Sequence, residues 1–166
     1  VDKAEQEKDL AFLVNAESVG VLAAVSDIHN TKFIHVSTDY VYDGLATSQY
    51  SEDNQLAPTS VYGASKKLGE EEAIKNCPSS IIIRTSWVYS IHGKNFVKTM
   101  MKLMGEKDEI SVVADQWGTP TWAADIASAI MKIIESGKWI SGIYNFSNAG
   151  EITWYDFATE IKKIIG

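Results

Sequence analysis

The feature that most constrains the fold of this chain is a regular alternation of helical and β-branched segments. Residues 3 to about 28 place apolar side chains at helical spacing without an intervening proline, which predicts a helix. Residues 80–86, Ser-Ile-Ile-Ile-Arg-Thr-Ser, are typical of a strand buried in a parallel sheet. The other predicted segments are strands at 32–36, 110–113 and 143–146 and helices at 60–76, 123–136 and 153–165, and residues 93–104 are predicted to form a loop followed by a helix. This order predicts an α/β fold with a doubly wound parallel sheet and helices on its faces.

Composition excludes several classes of function. The 166 residues can bury a sizeable core, and 45% hydrophobic with 22% charged residues is ordinary for a globular protein. A net charge of −7 argues against nucleic-acid binding, which requires a basic face. The single cysteine, Cys77, excludes an internal disulfide and favours a reducing, cytoplasmic compartment. No apolar run approaches the roughly 18 residues of a membrane span, and the charged start resembles no signal peptide, so we expect no membrane partner.

Several common site motifs are missing from the chain. Its glycines form neither the G-x-G-x-x-G turn of a dinucleotide-binding fold nor a P-loop. There is no G-x-S-x-G nucleophile elbow. The three histidines are far apart and have no metal-ligand spacing with Cys77, so we predict no zinc site.

The most informative local pattern is Tyr62 and Lys66, spaced i and i+4 on the predicted helix 60–76. Side chains at this spacing project from nearly one face of a helix. Thr38 comes just after a predicted strand, and ligands of open α/β sheets bind at the carboxyl ends of strands. A nearby ammonium would lower the pKa of the phenol, so that Tyr62 could exchange a proton with a carbonyl or alcohol, while the Thr38 hydroxyl orients the same oxygen. The pattern predicts carbonyl–alcohol chemistry at this edge of the sheet.

Five longer motifs occur in order around this pair. They are S-T-D-Y-V-Y-D-G, P-T-S-V-Y-G-A-S-K-K-L-G-E, I-I-I-R-T-S-W-V-Y, N-F-V-K-T-M and D-Q-W-G-T-P-T-W. Together they resemble the extended short-chain dehydrogenases/reductases and, within them, the dTDP-4-dehydrorhamnose reductase family. The resemblance covers essentially the whole chain.

This resemblance implies a division of the chain. Residues 1–89 and 123–142 are expected to belong to a Rossmann-like NAD(P)-binding domain, and residues 90–122 and 143–166 to a smaller substrate-binding lobe. Family members begin with the glycine-rich turn that this sequence lacks. We therefore expect a fragment without the N-terminal strands of the sheet and without activity on its own.

The resemblance also implies roles for individual residues. Tyr62 would be the catalytic acid, with Lys66 and Thr38 as its catalytic partners, and Tyr62 with Lys66 would hold the nicotinamide ribose. The residues expected to bind substrate are Thr38, Asp39, Tyr40, Trp87, Asn95, Gln116 and Thr121. Arg84 lies within an apolar strand and is expected to have an acidic partner or to point to the strand end. The acidic run 70–72 is interpreted as a solvated helix face.

The implied activity is reduction of the 4-keto group of dTDP-4-dehydro-L-rhamnose to dTDP-L-rhamnose with NADPH or NADH. Members of the family are described with Mg²⁺ and as homodimers, which these residues do not themselves indicate. Two alternatives stay open. One is another nucleotide-sugar epimerase or dehydratase, although dehydratases usually carry an acidic residue where Tyr40 follows Thr38-Asp39. The other is a non-catalytic regulatory subunit resembling that of methionine adenosyltransferase.

Overall fold

Parallel strands alternating with helices form most of the structure, a computed structural model that describes residues 1–166. The helices are α1 (Lys8–Phe12), α2 (Ser18–Ile28), α3 (Val61–Asn76), α4 (Phe96–Glu106), α5 (Ala123–Glu135) and α6 (Trp154–Ile165). The strands are β1 (Ile34–Thr38), β2 (Ile81–Thr85), β3 (Val88–Tyr89), β4 (Trp117–Gly118), β5 (Thr121–Trp122), β6 (Gly142–Asn145) and β7 (Ile152–Thr153). Short 3₁₀ helices span Asp2–Glu5 and Asp39–Val41, and a π-helical turn spans Leu13–Glu17 between α1 and α2. The predicted α/β class is confirmed.

The chain divides into two compact units, residues 1–85 with 138–146 and residues 86–137 with 147–166. This division differs from the predicted one in three segments. Residues 86–89 lie in the second unit, whereas they were expected in the nucleotide-binding domain. Strand β6 pairs with β2 and so lies in the first unit, whereas 143–146 were expected in the substrate lobe. Helix α5 lies in the second unit, whereas 123–142 were expected in the nucleotide-binding domain.

The first unit is built on a three-stranded parallel sheet in the order β1-β2-β6. All five residues of β2 are buried, as expected for the central strand of a covered parallel sheet. Helices α2 and α3 pack together on this sheet around a small core. That core consists of Val19, Ala23, Ala73, Cys77 and Ile82, with Phe33 and Ile143 at its margin.

The helical segment Lys8–Ile28 corrects one expectation. By length and hydropathy it could cross a membrane, so the predicted lack of any such segment was wrong on those criteria. The same test is passed by mostly buried core helices of soluble proteins and by signal sequences. In this segment 22% of the most apolar stretch is buried, and Ala16 and Ala23 are fully buried. The opposite face leaves seven large apolar side chains exposed: Leu10, Leu13, Val14, Val21, Leu22, Val25 and Ile28.

The second unit has two small sheets, a parallel pair β3-β5 and an antiparallel pair β4-β7. Helices α4 and α6 pack through Met100, Ala158 and Ile161. The predicted strand at 110–113 was wrong. Ile110 and Val112 instead pack against that cluster, and the carbonyl of Val113 accepts a hydrogen bond from the Tyr155 amide. These contacts hold the segment in place although it pairs with no other strand.

Candidate active site

The carboxyl end of β1 leads directly into a polar turn. Thr38 is the last residue of the strand, and its hydroxyl accepts a hydrogen bond from the Tyr40 amide at 3.3 Å and caps the 3₁₀ helix Asp39–Val41. The same hydroxyl donates to Asp39 Oδ1 at 3.1 Å. Thr38 is buried, whereas Tyr40 is 44% exposed. The strand end therefore presents a fixed hydroxyl beside a carboxyl group and a partly exposed phenol.

Helix α3 begins against this turn. Its N-cap is Ser60, whose hydroxyl accepts from the Gly63 amide at 3.0 Å. A Cβ atom at Gly63 would lie only 2.1 Å from the carbonyl oxygen of Tyr40, so only glycine fits this approach. The close approach brings the Tyr62 ring edge-to-face with that of Tyr40, with centroids 5.7 Å apart.

The Tyr62 phenol lies close enough to the Thr38 hydroxyl for the two to interact. Burial raises the pKa of Tyr62 above its ordinary value, while the interaction with Thr38 acts in the opposite direction. The expected lowering of this pKa by Lys66 is absent, because the charges that act on the phenol are those of Asp39 and Tyr40, which raise it further. Tyr62 is thus held in its protonated form, as a proton donor requires.

Lys66 lies one helical turn beyond Tyr62 and is only 8% exposed. Its ammonium donates to the carbonyl of Val36 at 2.8 Å and lies 3.1 Å from His35 Nε2. Burial lowers the pKa of Lys66 to about 8, and the Glu70 carboxylate opposes that shift. The predicted pairing of Tyr62 and Lys66 on one face is confirmed, but the ammonium is bound to β1 rather than to the phenol.

His35 is a member of this cluster that the sequence interpretation missed. Burial, together with the nearby Lys66 charge, lowers the pKa of His35 to about 4. The imidazole is therefore neutral at ordinary pH and can accept a hydrogen bond from the ammonium. Its position one residue before Val36 on a strand next to the Tyr-x-x-x-Lys helix is the signal that could have identified it.

Asp39 carries an unusual protonation equilibrium. Burial raises its pKa to about 6, although hydrogen bonds from Thr38 and from backbone amides act to lower it. A carboxyl group that titrates near neutrality beside a hydroxyl and a phenol is a candidate for ligand binding. Its predicted role in binding substrate remains a prediction.

Glu70 and Arg84 form a buried ion pair behind the cluster. Arg84 Nη2 lies 2.7 Å from Glu70 Oε2, and both side chains are 2% exposed. The predicted acidic partner of Arg84 is confirmed. The solvated face predicted for 70–72 was wrong at Glu70, because the helix turns this residue toward the sheet while Glu71 stays exposed. The spacing Tyr62, Lys66, Glu70 placed all three on one face and could have revealed this.

Trp87 lies in the second unit, where two neighbours enclose its ring. It stacks on Trp154 with centroids 3.5 Å apart, and a Cβ at Gly118 would lie 2.4 Å from the indole. Its backbone is in the left-handed region, with φ of 44°, which is costly for a bulky side chain. Strain of this kind persists where the surroundings hold a residue in a required position.

The remaining predicted residues of the second unit differ in surroundings. Asn95 caps α4 by accepting from the Lys98 amide and donates to the carbonyl of Ser90 at 2.6 Å. Thr121 is fully buried and donates to the Thr119 carbonyl. Gln116 is exposed. Asn95 and Thr121 thus have local structural contacts, and Gln116 is the one whose amide is presented to solvent.

An open groove of about 400 Å³ lies elsewhere on the second unit. The side chain of Asn148 connects two other lining residues of this groove: it accepts a hydrogen bond from the Trp122 amide at 2.7 Å and donates one to Asp125 at 2.6 Å. The lining residues are Tyr89, Pro120, Trp122, Asp125, Asn148, Ala149, Gly150, Ile152 and Phe157. None of the predicted site residues lines it. No group of three or more His, Cys, Asp or Glu side chains in the structure could hold a metal ion.

Known proteins resemble the chain along its whole length. The sequence profile of the family described as "RmlD substrate binding domain" matches residues 1–166. The spore coat polysaccharide biosynthesis protein SpsK of Bacillus subtilis is 45% identical over the entire chain, which spans 58% of that protein. The dTDP-4-dehydrorhamnose reductase of Aggregatibacter actinomycetemcomitans is 45% identical over 97% of the chain, and the match covers 56% of that protein.

A solved structure is also similar. The dTDP-4-dehydrorhamnose reductase of Bacillus anthracis, crystallised in complex with NADP, superposes with a TM-score of 0.94 at 42% identity. The superposition covers 99% of this chain and 58% of that protein. The chain thus spans a little over half the length of the relatives it matches.

Proposed function

Since the chain belongs to the RmlD substrate-binding domain family, we propose that the protein reduces the 4-keto group of dTDP-4-dehydro-L-rhamnose to give dTDP-L-rhamnose. The observation that carries this proposal is the convergence of Tyr62, Thr38 and Lys66 at the carboxyl end of β1. Relatives that share 45% of its residues are named dTDP-4-dehydrorhamnose reductase, which supports the same chemistry here.

In the proposed reaction the substrate carbonyl oxygen lies between Thr38 and Tyr62. The Thr38 hydroxyl, which donates its one proton to Asp39 in this structure, would turn that proton to the substrate oxygen and so orient it. Tyr62 donates its phenolic proton as the negative charge develops, and the raised pKa of the phenol keeps that proton in place until then. General acids of this kind typically contribute about 10²–10⁴-fold to a rate.

Lys66 supports both parts of the site. An ammonium has three N–H donors, and two of the three are directed at Val36 and His35. The third donor, one helical turn from the Tyr62 phenol, fits a ribose hydroxyl of a nicotinamide dinucleotide. We assign Tyr62 and Lys66 to holding that end of NADPH or NADH. When bound, the cofactor would supply the hydride for carbon 4 of the sugar.

In the first unit, we assign Asp39 and Tyr40 to binding the sugar nucleotide. In the second unit, Trp87 and Gln116 are the side chains that keep their predicted role in substrate binding. Asn95 and Thr121 would act chiefly by shaping the second unit, because their polar groups are bonded locally. The first unit with its parallel sheet would belong to the nucleotide-binding domain, and the second unit to the substrate-binding lobe.

No role is assigned to Mg²⁺ in this scheme, because the acidic and histidine side chains do not gather into a ligand set. A cytoplasmic location is part of the proposal, because a nicotinamide cofactor and a nucleotide sugar are soluble metabolites.

The test is an assay of the full-length protein with NADPH and dTDP-4-dehydro-L-rhamnose, with the sugar product identified by NMR. We expect cofactor oxidation that depends on the sugar and yields dTDP-L-rhamnose in equal amount. Epimerised or dehydrated sugar without net oxidation would indicate the epimerase or dehydratase alternative. A protein that binds both ligands and turns over neither would indicate the regulatory alternative.

A further inference from the structure

The Glu70 carboxylate is a buried charge of the first unit, and both of its oxygens accept hydrogen bonds. Oε1 accepts from the Ser37 hydroxyl at 2.5 Å and from Arg84 Nε at 3.0 Å. Oε2 accepts from Arg84 Nε at 3.1 Å and from Nη2 at 2.7 Å. A buried carboxylate is tolerated only when it is paired and bonded in this way.

The partners of Glu70 come from two different strands. Ser37 is on β1 and immediately precedes Thr38, and Arg84 is on the central strand β2. Glu70 itself is on α3 at four residues beyond Lys66 and eight beyond Tyr62, so the three share one face of the helix. One carboxylate therefore connects the helix that carries the proton donor to the strand that carries its hydroxyl partner.

Arg84 extends the connection to the loop after β1. Its Nη1 donates to the Tyr42 hydroxyl at 2.8 Å and to the Glu52 carbonyl at 3.3 Å. The Tyr42 hydroxyl in turn lies 3.2 Å from Asn145 Oδ1 at the end of β6. The ion pair thus joins α3, all three strands and the segment around residue 52.

We propose that Glu70 is a positioning residue for the reduction: through Ser37 and Arg84 it fixes the register of Tyr62 against Thr38, and it places its negative charge one helical turn from the Lys66 ammonium on the same face of α3. This inference rests on the proposed function, because it concerns the same reacting groups.

The charges around Lys66 support the second part of the proposal. From β1 the ammonium faces the neutral imidazole of His35, and its own helix contributes Tyr62 and Glu70. Asp39 and Tyr40 belong to the 3₁₀ turn packed on α3, and Arg84 of β2 is paired with Glu70. The π-helical turn packed on α3 presents the neutral amide of Asn15 to Ser65. Among these groups Glu70 is the one that raises the pKa of Lys66, against the effect of burial.

The test combines a titration with kinetics in the full-length protein. Lysine labelled with ¹³C at Cε is followed by NMR over pH, and the Lys66 signal is assigned by its loss in Lys66→Met. In Glu70→Gln we expect the Lys66 pKa to fall from about 8 by about one pH unit, because the opposing charge is gone. We also expect kcat to fall roughly 10- to 100-fold from the loss of register, with little change in KM. The alkaline limb of the kcat–pH profile should move to lower pH.

Two further variants keep the test decisive. Glu71→Gln removes an exposed charge from the next position of the same helix, and we expect it to change neither the Lys66 titration nor kcat. Glu70→Gln/Arg84→Gln removes both buried charges, so it avoids an unpaired guanidinium, and we expect it to reproduce the shifted titration.

An unchanged Lys66 pKa or an unchanged kcat in folded Glu70→Gln or folded Glu70→Gln/Arg84→Gln would overturn the positioning role. The two proposals can fail separately, because the titration needs no substrate. If the wild-type protein has no reductase activity but Glu70→Gln still shifts the Lys66 titration, the result counts against the proposed function and not against the charge coupling.

Discussion

Burial sets the protonation states of the side chains that meet at the end of β1. It raises the pKa of Asp39 to about 6 and lowers those of Lys66 and His35 to about 8 and about 4. In each case burial disfavours the charged form. At pH 7 Asp39 is therefore ionised, His35 neutral and Lys66 protonated, so the cluster holds one negative and one positive charge near a protonated phenol.

Replacing Asp39 by asparagine should stabilise the protein at neutral pH. The folded pKa of about 6 exceeds the ordinary aspartate value of 3.8, so folding favours the protonated carboxyl. The resulting contribution to stability is fully present below about pH 4 and is lost as pH rises through 6. We expect the free energy of unfolding of Asp39→Asn at pH 7 to rise by on the order of 1–3 kcal/mol, and by much less at pH 4. Urea denaturation at the two pH values measures both.

Asp43→Asn is the matched control for this change. Its exposed carboxylate is bonded by Tyr50, which lowers its pKa, so removing the charge should not stabilise the protein at pH 7. A gain in Asp39→Asn of equal size at both pH values would contradict the assigned cause.

At the residue scale the sequence identified the groups but not their environment. The helical spacing of Tyr62 and Lys66 was enough to pair them. Thr38 could be identified from its place after a predicted strand. The raised pKa of Tyr62 could not be predicted, because it depends on how deeply the ring is buried and on Asp39 and Tyr40 beside it. Glu70 was predicted to be solvated because an acidic run usually is, yet Arg84 from β2 neutralises it.

Two glycines set how closely helix α3 packs. Gly63 allows contact with the Tyr40 carbonyl, and a Cβ at Gly69 would lie 2.0 Å from the carbonyl oxygen of Asn15. Both obstacles are backbone atoms, which cannot rotate away as a side chain can. The position of α3, and with it that of Tyr62 and Lys66, depends on these two approaches.

Gly69→Ala should destabilise the protein although alanine favours helices by about 1 kcal/mol. The added methyl group must displace the π-helical turn that carries Asn15, and overpacking of this kind costs roughly 1–3 kcal/mol or more. We expect a lower thermal midpoint and a lower kcat, measured by calorimetry and by the reductase assay.

Gly105→Ala provides the comparison for that variant. Gly105 is in helix α4, and a Cβ there meets nothing within 4 Å. The Gly105→Ala variant should keep its activity, and its stability should be unchanged or slightly higher. Equal stability of Gly69→Ala and Gly105→Ala would show that α3 can shift at no cost.

At the element scale the long periodic segments were predictable. Helices α3, α5 and α6 and strand β2 begin and end within about two residues of their predicted bounds, the usual variation between assignments. The strand predicted at 110–113 failed because an apolar run signals burial but not the partner that buries it. The two-residue strands β3, β4, β5 and β7 carry too few residues for any periodicity.

For the whole molecule, the central question is which unit binds which ligand. The chain passes between the units after residues 85, 137 and 146, so neither is continuous in sequence. The alternation of elements could predict a parallel sheet but not these crossings. Strand β6 shows why, since its place beside β2 depends on pairing between residues 61 positions apart.

Trp87→Ala should weaken binding of the dTDP-sugar more than binding of NADPH. The strained backbone and the enclosed ring indicate that Trp87 is held in a required position, which we assign to the sugar nucleotide. Isothermal calorimetry with each ligand separately measures the two affinities. Trp154→Ala disrupts the same stack. We expect it to lower the stability of the protein and to reduce the affinity for the dTDP-sugar less than Trp87→Ala does. Equal losses for both ligands in Trp87→Ala would remove Trp87 from the substrate site.

The most direct test of the account is the turnover of Tyr62→Phe in the full-length protein, with dTDP-sugar affinity measured on the same sample. The phenolic proton is used only in the chemical step, so we expect kcat to fall by roughly 10²–10⁴-fold while the Kd of the sugar nucleotide changes little. Tyr155→Phe, which alters an exposed phenol of α6, should keep full activity. A Tyr62→Phe protein that retains most of its turnover would contradict the assignment of Tyr62 as the proton donor and, with it, the central claim.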